Sequence, residues 1–102
     1  MIKRRIEMNM LPTIKSYGQY NGNNYGVHTL KVDLGAFELF YSYETIVAFC
    51  SGKTGLVCSE NNWGVTTGKH LNWIVPNKKE RIPYSQFKVE LEEMLSIYIK
   101  EN

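Results

Sequence analysis

Apolar and polar positions alternate through the first half of the chain. Leu30, Val32 and Leu34 fall on one side of an extended run, and Thr29, Lys31 and Asp33 fall on the other. A period of two marks a strand with one buried face, so Val27 to Leu34 is predicted as a half-buried strand. Gly35-Ala36 makes a turn, and Phe37, Leu39, Tyr41 and Tyr43 then line one face of the next strand, closing a hairpin. Ile46 to Cys50 is nearly continuous in apolar residues, as expected of a central or covered strand. Ser51 to Gly55 reads as a turn, and Leu56 to Ser59 as another strand. Ahead of all these, Thr13 to Tyr17 looks extended. Gly18 to Gly26 is a loop whose Gly and Asn residues supply the positive-φ positions that turns need. Strands repeating at roughly eight to twelve residues with glycine turns between them predict an antiparallel meander.

One stretch carries a helical period. Phe87, Leu91, Met94, Leu95 and Tyr98 follow the i, i+4, i+7, i+8, i+11 pattern of a single face, and Lys88, Glu90, Glu92, Glu93 and Ser96 take the other. Ser85 is a candidate N-cap, or Pro83 sits near the first turn. A helix this short is marginal alone. It is therefore expected to lay its apolar face on the sheet around Val47 and Phe49. The predicted fold is α+β: an antiparallel sheet of about five strands packed by one C-terminal amphipathic helix. Residues 1–102 read as a single domain, with the basic segment 1–10 as a peripheral extension.

Charge and length narrow the partners only a little. The net charge of +2 lacks the basic excess usual in nucleic-acid binders. The basic residues do gather, at Lys3, Arg4 and Arg5 and again at Lys78, Lys79 and Arg81, and these read as two solvated patches. No window approaches the ~18 apolar residues of a membrane span, and no apolar run follows the Lys3–Arg5 cluster. A cytoplasmic protein with Cys50 and Cys58 reduced is the expectation.

Candidate chemistry concentrates in Ser59 to Ile74, S-E-N-N-W-G-V-T-T-G-K-H-L-N-W-I, read as a polar-aromatic loop. Gly64, Gly68 and Lys69 do not have the spacing of a phosphate loop, and His70 stands where that motif needs Ser or Thr. A looser anion site from Thr66, Thr67, Lys69 and backbone N–H groups around a turn remains open. Cys58 and His70 have nothing local to bring them together as thiol and base, and the cysteines read as small hydrophobes. Cys50, Cys58, His28 and His70 lack the close-spaced ligand pair of a zinc site. Glu38, Glu44 and Glu60 show no paired-carboxylate spacing. Trp73, flanked by Leu71 and Ile74, reads as core, whereas Trp63 suits the core or a binding surface equally. Tyr17, Tyr20, Tyr25, Tyr41 and Tyr43 could stack bases beside the basic patches, or simply fill a pleated surface. The candidate binding residues are Trp63, Thr66, Thr67, Lys69, His70, Asn72, Tyr41 and Tyr43, with no catalytic residue, metal or cofactor expected.

Leu11–Tyr20, Tyr41–Phe49 and above all the block W-x-x-T-T-G-K-H-L-N-W-I at Trp63–Ile74 resemble a family of small uncharacterised proteins of bacteriophage and prophage genomes. The resemblance spans about Leu11 to Leu95. It implies a phage or mobile-element origin and a cytoplasmic role during infection, and it carries no activity, cofactor or catalytic residue to transfer. Family members look as if they start near Leu11, which fits residues 1–10 as an extension. The expected function is that of a non-enzymatic binding protein directed at a host protein or signalling molecule, for instance one that blocks host defence. The alternatives are a nucleic-acid-binding accessory protein and a nucleotide or small-ligand binder at the Thr66–His70 stretch. A homodimer through an exposed aromatic patch is a further expectation.

Overall fold

The alternation seen in the sequence becomes a five-stranded antiparallel sheet in the order β1-β2-β3-β4-β5. The computed structural model describes residues 11–18 and 28–99; the basic leader, Tyr20, Tyr25 and nearly all of the Gly18–Gly26 loop lie outside these residues. The strands are β1 Thr13–Ser16, β2 Leu30–Asp33, β3 Phe37–Ser42, β4 Thr45–Ser51 and β5 Gly55–Cys58. Each pairs antiparallel with the next, which makes the sheet a simple meander. The β4–β5 turn is closed by Ser51, whose hydroxyl accepts from the Thr54 N–H at 3.2 Å, and by Gly55 at φ +70, a conformation that glycine adopts without strain. At the β3–β4 turn the positive-φ position is Tyr43 (φ 56), where a bulky side chain is unusual. Tyr43 therefore lies beyond the strand rather than on the face shared by Phe37, Leu39 and Tyr41.

The sheet has helices on both faces, and in this respect the sequence expectation of a lone helix is corrected. Val65–Ile74 is an α-helix (α1), not a loop, and the C-terminal helix (α2) is Tyr84–Ile99. The cross-strand row Val32, Leu39, Phe49 and Val57 faces α2. There Phe37, Leu39 and Phe49 enclose Phe87 and Met94, with Leu91, Leu95 and Tyr98 packed around them. Phe87 and Phe49 are wholly buried, with ring centroids 5.6 Å apart. The helical period of Phe87, Leu91, Met94, Leu95 and Tyr98 is thus the buried stripe of α2. Its start lies at Pro83, whose carbonyl accepts from the Phe87 N–H at 2.9 Å, and Ser85 falls inside the helix rather than capping it.

The opposite face carries a second cluster of Val47, Ala48, Cys58, Leu71 and Val75, flanked by Phe40, Trp63 and Ile74. Val47 belongs here, not under α2. The pairing shifts between Phe40↔Ala48 and Tyr41↔Ile46, so Val47 is the extra residue of a β-bulge. The bulge lets Val47 and Ala48 both turn toward α1 while Ile46 and Phe49 still meet α2.

After β5 the chain makes one further contact that shapes the surface. Ser59 and Ile82 form an isolated parallel bridge, with the Ile82 N–H donating to Cys58 O at 2.9 Å and the Glu60 N–H to Ile82 O at 2.7 Å. This bridge lays the segment that follows α1, including the 3₁₀ turn Lys78–Glu80, alongside the segment that precedes it.

Candidate functional site

α1 has a poor local reason to be a helix. Its sequence V-T-T-G-K-H-L-N-W-I holds four β-branched residues, a glycine and an asparagine, all weak helix formers. Its inward face is Thr67, His70, Leu71 and Ile74, at helical spacing, but two of these four are polar. The polar pair is matched from the sheet. Ser42 Oγ lies 2.9 Å from Thr67 Oγ1 and 2.7 Å from His70 Nδ1, and all three residues are buried. Buried hydroxyl and imidazole groups of this kind stabilise a structure only when they find partners, and Ser42 at the end of β3 is that partner. His70 Nε2 has no hydrogen-bond partner among the described residues. The ring is stacked on Trp73 (5.7 Å, 20°) and lies 5.6 Å from the Tyr43 ring, which itself packs against His28 at 4.5 Å. Burial, and then the nearby His28, hold the His70 imidazole below its ordinary pKa.

The entry to α1 is built by Asn61. Its Oδ1 accepts from the Trp63 N–H at 3.0 Å and its Nδ2 donates to Gly64 O at 3.0 Å. The amide comes so close to the helix that a Cβ on Gly68 would sit 2.9 Å from Nδ2. Glycine at 68 therefore gives the Asn61 amide room to approach, rather than forming part of a phosphate loop.

On the outer side of α1, Val65, Gly68, Lys69 and Asn72 share one face and form a wall of a groove of about 490 Å³. Glu60, Asn61, Lys78 and Arg81 complete it. That volume is within the range of small-molecule sites. Arg81 is the unexpected member, because the sequence placed it in a solvated patch and it is only 6% exposed. Its Nε and Nη2 donate to Val75 O at 3.0 and 2.8 Å, and Nη2 also donates to Asn72 Oδ1 at 2.8 Å. A cation at the carbonyl end of a helix is electrostatically favoured, so Arg81 ties down the end of α1. Among the described residues no carboxylate pairs with it, and neither Lys69 nor Lys78 has an ion-pair partner.

The eight candidate residues are therefore not one surface. Lys69 and Asn72 meet in the groove. Thr66 is exposed on α1 but outside the groove lining, and Thr67 and His70 point inward to Ser42. The anticipated anion site of Thr66, Thr67 and Lys69 around a turn is thus replaced by a helix that divides those side chains between its two sides. Trp63 is half-buried and meets Tyr84 edge-on at 5.2 Å, joining the two clusters. Tyr41 lies on the α2 side, half-buried, and Tyr43 stands near His70. Sequence reasoning missed Ser42 and the burial of Arg81, and neither leaves a local signal. The helix itself had one: Pro76, just past Ile74, is a common stop.

The surroundings of both thiols disfavour the thiolate. Burial pushes the Cys58 thiol up to about 11, only partly opposed by the Arg81 charge, and its Sγ donates to Ser59 O at 3.5 Å. Cys50 is also raised, by burial and then by Glu38. Among the described residues no group of three or more His, Cys, Asp or Glu could hold a metal, and no helix is long and apolar enough to cross a membrane.

The sheet and its two helices make this an α+β protein. Residues 8–89 match a family of unknown function, DUF8033, and the chain belongs to that family. No curated protein and no solved structure matches it.

Proposed function

We propose that the protein acts by binding rather than by catalysis, and that its working surface is the groove between α1 and the Lys78–Arg81 segment. In this reading it is encoded by a phage or mobile element and works in the host cytoplasm on a host molecule. The observation that carries the proposal is the charge of the groove: Lys69, Lys78 and Arg81 face one carboxylate, Glu60. Unpaired cations at a concave surface raise the local concentration of an anionic partner and speed its arrival. Among the described residues no cysteine or histidine lines the groove, and His70 turns inward to Ser42.

The test is to recover the tagged protein from host cells and weigh it intact by native mass spectrometry. A retained mass is expected, and it should disappear in the Lys69→Glu, Lys78→Glu double variant. Both side chains are exposed, so stability should change by no more than about 0.5 kcal/mol per site. Absence of any bound mass, or turnover of an added host extract with nothing retained, would overturn the binding reading.

A further inference from the structure

Resting on that reading of the groove, we infer that its ligand is a phosphate monoester of a small organic body, of the chemical type of a nucleoside monophosphate. Four donors belong to residues that line the groove and have no partners of their own among the described residues. They are the ammonium groups of Lys69 and Lys78, the Nδ2 of Asn72, whose Oδ1 is taken by Arg81, and the remaining guanidinium nitrogen, Nη1, of Arg81. Arg81 is already oriented by three hydrogen bonds from its other two nitrogens, so little side-chain freedom would be lost when Nη1 meets an oxyanion. The Arg81 charge has no carboxylate partner among the described residues, and its Nη1 is not shut away from solvent. A doubly charged oxyanion bound by it and the two lysines would supply the missing counter-charge. Phosphate suits the arrangement because arginine and lysine donors can each take a different oxygen of its tetrahedron.

The rest of the groove describes what the phosphate is attached to. Val65, 81% exposed, supplies the apolar contact on this face of α1, and the Asn61 amide lies over Gly68 beside it. Val65 and Asn72 are two helical turns apart, about 10 Å. An apolar or flat group lying on Val65 thus leaves a phosphate at the Asn72–Arg81 end. Among the described residues Glu60 is the only carboxylate lining the groove, and it accepts rather than donates, so it is matched to a hydroxyl or amino group of the ligand. Inorganic phosphate alone would leave both Val65 and Glu60 unused.

The experiment is calorimetric titration of the purified full chain with adenosine 5′-monophosphate, inorganic phosphate, adenosine and succinate, each at low and high salt. The monophosphate is expected to bind most tightly, more weakly in high salt because the lysines are solvent-screened. Lys69→Gln with Lys78→Gln should weaken it at least about tenfold, as the loss of charged contacts implies. Arg81→Lys should do the same if it folds, and the lysine double variant decides the matter if it does not. Equal binding of inorganic phosphate and the monophosphate overturns the organic body, and succinate binding as tightly as the monophosphate overturns the phosphate. Absence of binding by every phosphate, while cells still yield a groove-dependent mass, overturns this ligand class and leaves the binding function standing. Absence of both overturns both.

Discussion

The two faces of the sheet are held by different physics. α2 is seated by large apolar side chains, with Phe87 and Met94 buried against Phe37, Leu39 and Phe49. α1 is seated by Leu71 together with a hydrogen-bonded trio, Ser42, Thr67 and His70. Apolar packing is non-directional and tolerates small shifts, whereas a buried polar trio has one geometry in which its groups are satisfied. The face that fixes geometry tightly is the one whose outer side carries the cationic groove. A helix locked in rotation by Ser42 keeps Lys69 and Asn72 aimed outward while Thr67 and His70 stay in.

The comparison breaks first at Phe87. Phe87→Ala should destabilise the protein by about 3–5 kcal/mol in denaturant unfolding, as expected for a fully buried aromatic. A loss under about 1 kcal/mol would mean that α2 is not the main apolar anchor. On the other face, Ser42→Ala removes the partner of two buried groups and should cost about 1–3 kcal/mol. It should also weaken ligand binding at the groove by letting α1 rotate. Unchanged stability would show that Leu71 and Val75 hold the helix unaided.

Acid should sharpen the contrast. The folded state holds His70 below its ordinary value of 6.5, so the unfolded chain takes up the proton first. Stability from this group is complete above about pH 6.5 and shrinks as pH falls from there toward the depressed folded value. Thermal midpoints should therefore decline between about pH 7 and 5, and His70→Gln should flatten that decline relative to the parent. An identical slope in both would remove His70 from the account. The smallest effect is expected at Gly68→Ala. Helix propensity favours alanine by about 1 kcal/mol, and displacement of the Asn61 amide from Gly64 O opposes it by a similar amount. A net change within about 1 kcal/mol is expected from the denaturant midpoint. A full gain would show the Asn61 contact to be dispensable.

What could be read from the chain alone follows this same division. Alternation at Leu30–Leu34 and Phe37–Tyr41, the glycine turn before β5 and the stripe from Phe87 to Tyr98 are local signals, and they suffice for the meander and for α2. They suffice because a side chain's face is set by its spacing in strand or helix, and apolar residues announce which face is buried. α1 hid because its inward face is written in Thr67 and His70, which look like surface residues until Ser42 is placed opposite them. The alternation carries Tyr43 onto a strand face because nothing in its neighbours signals a positive φ.

By itself, then, the order of residues determined the antiparallel strands, the covered β4 and the amphipathic C-terminal helix. The second helix, the sorting of Lys69 and Asn72 from Thr67 and His70, and the burial of Arg81 were decided only in three dimensions. The reason is distance along the chain: the Ser42 hydrogen bonds and the Ser59–Ile82 bridge join segments that share no local pattern. Polar groups declare whether they are buried only when their partners arrive.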